Sequence, residues 1–175
     1  MIDPHTTGSV RYWHAVFCKP RQDATAEKNL LNQGFEIFRP KTRVRITLRG
    51  RRRIQIESMF PRYLFVRLSL TGEDWGPIRS TRGAVGLVRL GLEIPVIPDP
   101  VIEMLRARCR EDGIINLSGA IDFRTDDPVE ITDGPCAGYR ALFKSRSSED
   151  RVIVLLKLLQ HERQVELDGT SIRRA

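Results

Sequence analysis

Two short segments constrain this chain more than any other part of it. Residues 60–66 (Phe-Pro-Arg-Tyr-Leu-Phe-Val) combine aromatic and β-branched residues with a proline, which a strand tolerates only at its start or at a sheet edge. Residues 80–85 (Ser-Thr-Arg-Gly-Ala-Val) contain an Arg-Gly pair typical of a tight turn and lead into an apolar run that ends at Leu90. Most residues between positions 71 and 80 are polar or turn-forming, so we expect two strands with an irregular connection.

Further patterns extend this layout along the chain. They predict strands at residues 10–18, 35–38, 60–70 and 85–90, helices at 22–33 and 98–110, and a long hairpin over 41–56 with Gly50 at its tip. Gly72, Gly76 and Pro77 argue against a long helix between residues 71 and 80. This order, close to β-α-β-β-α-β, predicts an α+β domain of the ferredoxin-like type from residue 10 to residue 110.

The remaining third of the chain is less regular. Residues 111–124 lack periodicity and contain Gly113, Ser118 and Gly119, which is typical of a linker. Residues 125–175 open with a predicted strand and turn at 128–135. A segment of this length lies near the lower limit for an independently folding domain.

Composition narrows the class of protein. Of the 175 residues, 41% are hydrophobic and 29% charged, which suits one or two packed domains in solution. No apolar run approaches the length of a membrane span, no secretory signal opens the chain, and three cysteines without metal-ligand spacing fit a reducing cytoplasm. The three histidines are scattered, and no catalytic or phosphate-binding motif occurs. We therefore expect a cytoplasmic, monomeric binding protein with no catalytic residues, no metal site and no cofactor.

The predicted hairpin concentrates positive charge. Six arginines lie within eleven residues, with aliphatic residues between them: Arg43, Arg45, Arg49, Arg51, Arg52 and Arg53. The net charge of +7 favours an anionic partner, and arginine suits phosphate geometry. We interpret the hairpin as an element that lies near nucleic acid or phosphate. The alternative is a solvated hairpin whose charges protect a sheet edge from aggregation.

Several segments together resemble the NusG family of transcription elongation factors. Residues 13–19 (Trp-His-Ala-Val-Phe-Cys-Lys) followed by a helix are similar to the start of the family's N-terminal domain, and residues 60–66 with 81–83 are similar to its central motifs. Residues 131–135 with Gly138 and Tyr139 resemble the start of its KOW domain. The likeness spans residues 11–175. Within the family it is greatest to the specialised antitermination branch, RfaH, because of segments such as residues 18–19 and 88–91.

The resemblance implies a factor that binds RNA polymerase and suppresses pausing and termination. The positions that match the family's apolar polymerase-binding patch are Phe17, Phe60, Tyr63 and Phe65. The RfaH branch also binds the non-template DNA strand, and the matching positions here are Lys19, Thr81 and Arg82. Two further matches differ, since Thr25 and Asn29 stand where that branch has basic or imidazole side chains. Residues 74–76 (Asp-Trp-Gly) replace its second polymerase contact, where stacking by Trp75 is an alternative chemistry.

The C-terminal segment combines two patterns. A helical stripe is formed by Val152, Leu155, Leu156 and Leu159, whereas residues 152–154 are β-branched and Val165 and Leu167 alternate with polar residues. The resemblance implies either a five-stranded SH3-like KOW β-barrel or, as in the RfaH branch, a helical hairpin that covers the polymerase-binding patch in an autoinhibited protein. Glu57 and Arg151 match the interdomain ion pair of that branch. A small-subunit ribosomal protein is a further partner implied for this domain.

Two other functions remain open at this point. The first is a general NusG protein whose permanent KOW barrel recruits a termination factor. The second is a KOW-type RNA-binding protein of ribosome assembly, which would have no use for an exposed Tyr63 and Phe65.

Overall fold

A computed structural model describes residues 9–115 and 147–171, with side chains of the last helix described as far as Gln160 except that of Leu158. Most of the predicted KOW segment lies outside these residues, including the motif at 131–135 and Cys136. Along the chain the elements are β1 (Tyr12–Cys18), α1 (Asp23–Asn32), β2 (Glu36–Phe38), β3 (Lys41–Leu48), β4 (Arg51–Ser58), β5 (Tyr63–Leu68), a 3-10 helix (Gly76–Ser80), β6 (Ala84–Leu87), α2 (Asp99–Arg108), β7 (Ile114–Ile115) and α3 (Ser148–Ser171).

The central sheet has the strand order β2-β5-β1-β6. Strand β5 pairs antiparallel with both β1 and β2, so those two strands run parallel with β5 between them, and β6 pairs antiparallel with β1. This is the split βαβ arrangement, and the predicted α+β fold is confirmed. The second crossover differs from that scheme, because a 3-10 helix connects β5 to β6 and α2 follows β6. Glycines and a proline leave too few helix-forming residues there for an α-helix.

The predicted strand over residues 60–70 is shorter, and its first residues form a turn. The Tyr63 amide donates to the Phe60 carbonyl over 2.9 Å, and Arg62 has φ of 70°. The Asp23 carboxylate accepts the Arg62 amide hydrogen at 3.0 Å, and the Arg62 side chain donates to the Cys18 carbonyl at 3.2 Å. The start of α1 and the end of β1 therefore hold the left-handed residue in place.

Each face of the central sheet has its own core. On one face, Val16 and Leu64 of the strands pack with Ala26 and Leu30, which are one helical turn apart on α1. On the other face, Trp13 and Phe65 lie in a larger cluster with Leu105 of α2 and with Leu155 and Leu159 of α3. The alternation of side chains along β1 and β5 divides the strand residues between the two cores.

The arginine hairpin forms a second sheet, with the order β4-β3-β7. Strands β3 and β4 pair over their full length, and Arg49 and Gly50 form the turn with φ of 50° and 75°. Strand β7 pairs in parallel with β3 at Lys41 and Thr42. Ile114 and Ile115 are buried, so the folded unit extends into the segment that the sequence predicts as a linker.

Candidate functional site

Phe17 and Tyr63 form an aromatic pair at the end of the central sheet. They are opposite each other on β1 and β5, with ring centroids 5.2 Å apart. Both side chains are half-buried, and the Arg62 guanidinium lies 4.2 Å from the centre of the Phe17 ring. Burial raises the pKa of the Tyr63 phenol above its ordinary value, with Arg62 opposing the rise. The phenol is therefore neutral at physiological pH and can donate a hydrogen bond to a partner.

Phe60 and Phe65, the other two predicted polymerase-binding residues, belong to the core in this conformation. Neither has any exposed surface, and their ring centroids are 5.7 Å apart in an edge-to-face arrangement. Phe65 also packs on Phe38, with centroids 6.2 Å apart. The four predicted positions thus lie on one aromatic face, of which only the Phe17–Tyr63 end reaches the surface.

Helix α3 contributes to the burial of this face. Leu155 and Leu159 have 1% and 2% of their surface exposed and lie in the same cluster as Phe60 and Phe65. Val152 and Val154 pack at its margin, whereas Ile153 is about half exposed. The predicted stripe therefore meets an apolar partner within the same chain. Its position differs slightly from the prediction, because Arg151 rather than Leu156 completes the buried row.

Arg151 joins α3 to the segment that precedes Phe60. Its Nε hydrogen is donated to the Met59 carbonyl over 2.7 Å, and its Nη2 lies 3.9 Å from a carboxylate oxygen of Glu57. Burial lowers the pKa of the Arg151 guanidinium, and the nearby Glu57 carboxylate opposes that shift. The predicted pairing of Glu57 with Arg151 is thus present as a long contact, beside a shorter hydrogen bond that the sequence could not reveal.

The turn between the 3-10 helix and β6 places Arg82 beside Lys19. Gly83 has φ of 93° and lies against the first turn of α1, where an added Cβ would be 2.7 Å from the Ala26 nitrogen. The Lys19 amide donates to the Gly83 carbonyl over 2.8 Å. Both Lys19 and Arg82 are exposed, so their cationic groups can meet an anion on the same surface.

Thr81 lies almost buried next to this turn. Its side chain is 6% exposed, its hydroxyl donates to the Pro77 carbonyl over 2.9 Å, and it accepts a hydrogen bond from Gln33 over 2.9 Å. These hydrogen bonds hold the Thr81 hydroxyl within the protein in this conformation, and its contact with DNA stays a prediction. Asn29 acts similarly, since its amide donates to the carbonyls of Thr25 and Arg82 and steadies the turn.

Trp75 borders a pocket next to the aromatic pair. Its indole Nε1 donates to the Leu70 carbonyl over 3.1 Å, and the Arg89 guanidinium lies 5.8 Å from the ring centre. Phe17, Tyr63, Arg79 and Arg89 line the same pocket. Arg79 and Arg89 were not predicted as site residues, because their place at this pocket depends on the packing of β6 beside β1 and the 3-10 helix.

Two general properties concern the part of the chain that the structure describes. Within residues 9–115 and 147–171, no group of three or more described His, Cys, Asp or Glu side chains could hold a metal ion. No helix in these ranges is long and apolar enough to cross a membrane.

Comparison with known proteins identifies the family. The family model described as "Transcription termination factor nusG" matches residues 11–106. The chain is 27% identical to the transcription termination/antitermination protein NusG of Thermus thermophilus, over 93% of this chain and 98% of that protein. It is 25% identical to the Bacillus subtilis protein of the same name, over 85% and 88%. The Streptomyces griseus NusG is longer, and a match at 27% identity covers 71% of this chain and 48% of that protein.

A solved structure described as "Domain interaction in Thermotoga maritima NusG" also matches, with a TM-score of 0.36 and 18% identity over 71% of this chain and 67% of that chain. The family model covers more than half of the 175 residues, and the relatives share its name. The chain therefore belongs to the NusG family of transcription termination/antitermination proteins.

Proposed function

We propose that this protein is a transcription elongation and antitermination factor that binds RNA polymerase through its aromatic face and that α3 autoinhibits this binding. The observation that supports the proposal is the shared burial of Leu155 and Leu159 with Phe60 and Phe65. Family membership supports the general role in transcription. The covered aromatic face supports the more specific assignment to a regulated, RfaH-like factor.

The physical basis is competition for one apolar surface. Burying a leucine or phenylalanine side chain stabilises a protein by about 1.5–3 kcal/mol, so α3 gains appreciably from Leu155 and Leu159. RNA polymerase would gain from the same face, and it cannot contact Phe60 or Phe65 while they remain buried. Only the Phe17–Tyr63 end and the pocket beside Trp75 are accessible for a first encounter. Binding then requires α3 to leave.

A released C-terminal segment needs another way to bury its apolar residues. The β-branched residues 152–154 and the alternation at Val165 and Leu167 suit a strand, so the proposed alternative is the KOW β-barrel. A small-subunit ribosomal protein remains a predicted partner of that barrel. A permanent barrel, as in a general NusG protein, is the second candidate. The helix over Ser148–Ser171 favours the autoinhibited factor over a general NusG protein.

Recruitment to DNA is the second part of the proposal. Lys19 and Arg82 are exposed on one surface, around a turn that α1 supports, and are proposed to contact the non-template strand. Arg82→Ala should weaken recruitment of the protein to transcription complexes with one particular non-template sequence. Arg110→Ala, which removes another exposed arginine, is the matched control. Recruitment that is the same for every non-template sequence would contradict the specialised function and leave a general elongation factor.

The autoinhibition is tested by binding of RNA polymerase to the full chain. Leu155→Asp places a carboxylate in the apolar cluster and should release α3, so affinity for polymerase should rise at least about tenfold. Ile153→Asp, two residues away on the exposed side of α3, should bind like the wild type. Equal affinity of Leu155→Asp and wild type, with both folded, would show that α3 does not control access.

The change of fold is tested by circular dichroism. Residues 124–175 alone should have a β-type spectrum, because the aromatic face that supports α3 is missing. In the full chain the same segment should contribute helix. A helical spectrum of the isolated segment would contradict the proposed switch, and so would a β-type contribution in both contexts.

A further inference from the structure

The β3–β4 hairpin, here called the arginine ribbon (residues 41–58), extends beyond the rest of the protein. Its base is buried at Thr42 and Ser58, whereas residues 47–56 are all exposed. These include Leu48 and Ile54, which have 51% and 69% of their surface exposed. Strands of eight residues make the ribbon about 26 Å long at about 3.3 Å per residue. A projecting element of this length is suited to a partner outside the protein.

The register of the ribbon separates its arginines. Each arginine within the paired strands lies opposite a residue of another type: Arg43 opposite Ile56, Arg45 opposite Ile54, Arg53 opposite Ile46, Arg52 opposite Thr47 and Arg51 opposite Leu48. This pairing avoids direct like-charge neighbours across the strands. Because opposite residues share a face, Arg45 and Arg52 lie on one face and Arg51 and Arg53 on the other. The charge therefore surrounds the ribbon.

The excess positive charge of the protein is concentrated in residues 41–56 of the ribbon. Residues 41–56 include seven of the 29 basic residues and no acidic one, so the other 22 basic residues are matched by the chain's 22 acidic residues. Some arginines elsewhere have carboxylate partners, as in the pairs Arg11–Glu73 at 2.7 Å and Arg39–Glu27 at 2.7 Å. Among the described residues, only Arg43 of the ribbon arginines is within ion-pair distance of a carboxylate, that of Asp112 at 2.8 Å. The remaining five are available to an anionic ligand.

The shape and composition of the ribbon distinguish between kinds of nucleic acid. Proteins that bind single strands stack the bases on aromatic side chains, and residues 41–58 contain no aromatic residue. The major groove of B-form DNA, about 12 Å wide, admits a two-stranded β-ribbon with phosphates on both sides. The corresponding groove of an RNA duplex is deep and narrow. A ribbon with arginines on both faces and at its tip matches the DNA groove best.

We propose that the arginine ribbon is a separate, sequence-independent binding site for double-stranded DNA, with the ribbon in the major groove and its arginines on the flanking phosphates. This site is distinct from the Lys19–Arg82 surface and does not depend on RNA polymerase. It gives the factor an affinity for the duplex next to a transcription complex, whatever its sequence.

The test is fluorescence anisotropy of the full-length protein with a labelled 20-base-pair DNA of arbitrary sequence over a range of salt concentrations. The ribbon variant is R51Q/R52Q/R53Q. The control variant, K28Q/R110Q/K157Q, removes three exposed basic side chains from the rest of the protein and has the same net charge. The ribbon variant should bind at least about tenfold more weakly at low salt, and its log–log salt slope should fall by about 2–3. The control should stay within about twofold of the wild type.

The competing probes are the matching DNA single strand and an RNA duplex of the same length. Both should bind more weakly than the DNA duplex at equal salt. The proposal is overturned if the two variants lose affinity equally, if either competing probe binds more tightly than the DNA duplex, or if the wild type does not bind the duplex. None of these results would bear on the binding of polymerase, because polymerase is absent from the assay.

Discussion

Arg151 of α3 donates a hydrogen bond of 2.7 Å to the backbone carbonyl of Met59, directly before the first aromatic residue of the 60–66 segment. The guanidinium is 1% exposed, and its contact with the Glu57 carboxylate is longer, at 3.9 Å. A neutral backbone acceptor and not the ion pair is therefore the closest partner of this buried cation. The contact ties the position of α3 to the segment that shapes the aromatic face.

The first prediction concerns this contact. Arg151→Ala should loosen α3, because a buried hydrogen bond to a charged donor contributes about 1.5–3 kcal/mol. Glu57→Gln should have a smaller effect, below about 1 kcal/mol, since a partly exposed pair at this distance is weak. Hydrogen exchange of the α3 amides in the full chain measures the effects of both substitutions. Ile153→Ala is the control at an exposed position, and unchanged protection of α3 in Arg151→Ala would contradict the prediction.

The second prediction separates the core residues of the aromatic face from its surface residues. Phe65→Ala should lower the free energy of unfolding by about 3–5 kcal/mol, because its ring is fully buried between Phe60 and Phe38. Tyr63→Ala should affect stability much less but weaken polymerase binding of the Leu155→Asp protein by a few kcal/mol if Tyr63 anchors the interface. Urea unfolding measures the free energy of unfolding, and a binding assay measures the affinity for polymerase. Normal polymerase affinity in a folded Tyr63→Ala variant would exclude Tyr63 from the interface.

The third prediction concerns the turn that presents Arg82. Gly83→Ala adds a methyl group within 3.0 Å of the Ala26 nitrogen and the Gln22 carbonyl oxygen, so it should displace α1 and destabilise the protein. Gly34→Ala is the matched control, since Gly34 also has a positive φ but nothing lies within 4 Å of an added Cβ. Backbone strain alone costs about 1–2 kcal/mol, and overpacking adds about 1–3 kcal/mol. Equal destabilisation by both substitutions, measured in urea, would rule out the close contact.

The fourth prediction is a pH dependence that arises from His14. Its ring is 1% exposed, Nδ1 donates to the Pro95 carbonyl over 3.0 Å, and Nε2 has no hydrogen-bond partner among the described residues. Burial lowers the pKa of His14 in the folded protein, and the hydrogen bond to Pro95 opposes this shift. Below the ordinary value of 6.5 the unfolded chain therefore takes up a proton more readily than the folded one, and stability falls.

The melting temperature should accordingly decrease as the pH falls from 7.5 to about 5. In His14→Asn, which cannot titrate, the decrease over this range should be smaller than in the wild type. Both proteins have the same carboxylates, so subtracting one melting-temperature curve from the other removes the contribution of the carboxylates to the pH dependence. Parallel curves for the two proteins would show that His14 is not the source of the dependence.

Local sequence patterns were sufficient to predict most elements of the N-terminal domain. The positions of β1, α1, β2, the β3–β4 hairpin and α2 follow from alternation, helical spacing and turn residues. The turn around Gly83 follows from a requirement for positive φ. These features depend on the chirality of the chain and on residues close in sequence. Predicting them therefore does not require knowing which distant residues pack together.

The tertiary structure decided which aromatic and polar residues belong to the core. Phe60 and Phe65 are buried and Phe17 and Tyr63 only half-buried although all four lie on one aromatic face, because burial depends on what covers each part of that face. Thr81 likewise bonds inward because Pro77 and Gln33 are its neighbours in space.

The C-terminal segment shows the limit of the sequence most clearly. Residues 152–159 satisfy both a helical stripe and a β-branched run, so local preference does not choose between a helix and a strand. In this structure, α3 has Leu155 and Leu159 buried in the aromatic cluster and Arg151 bonded to Met59. The sequence by itself left both a helix and a strand open for this segment. Only long-range packing, which gives the helix an apolar surface to cover, decided between them.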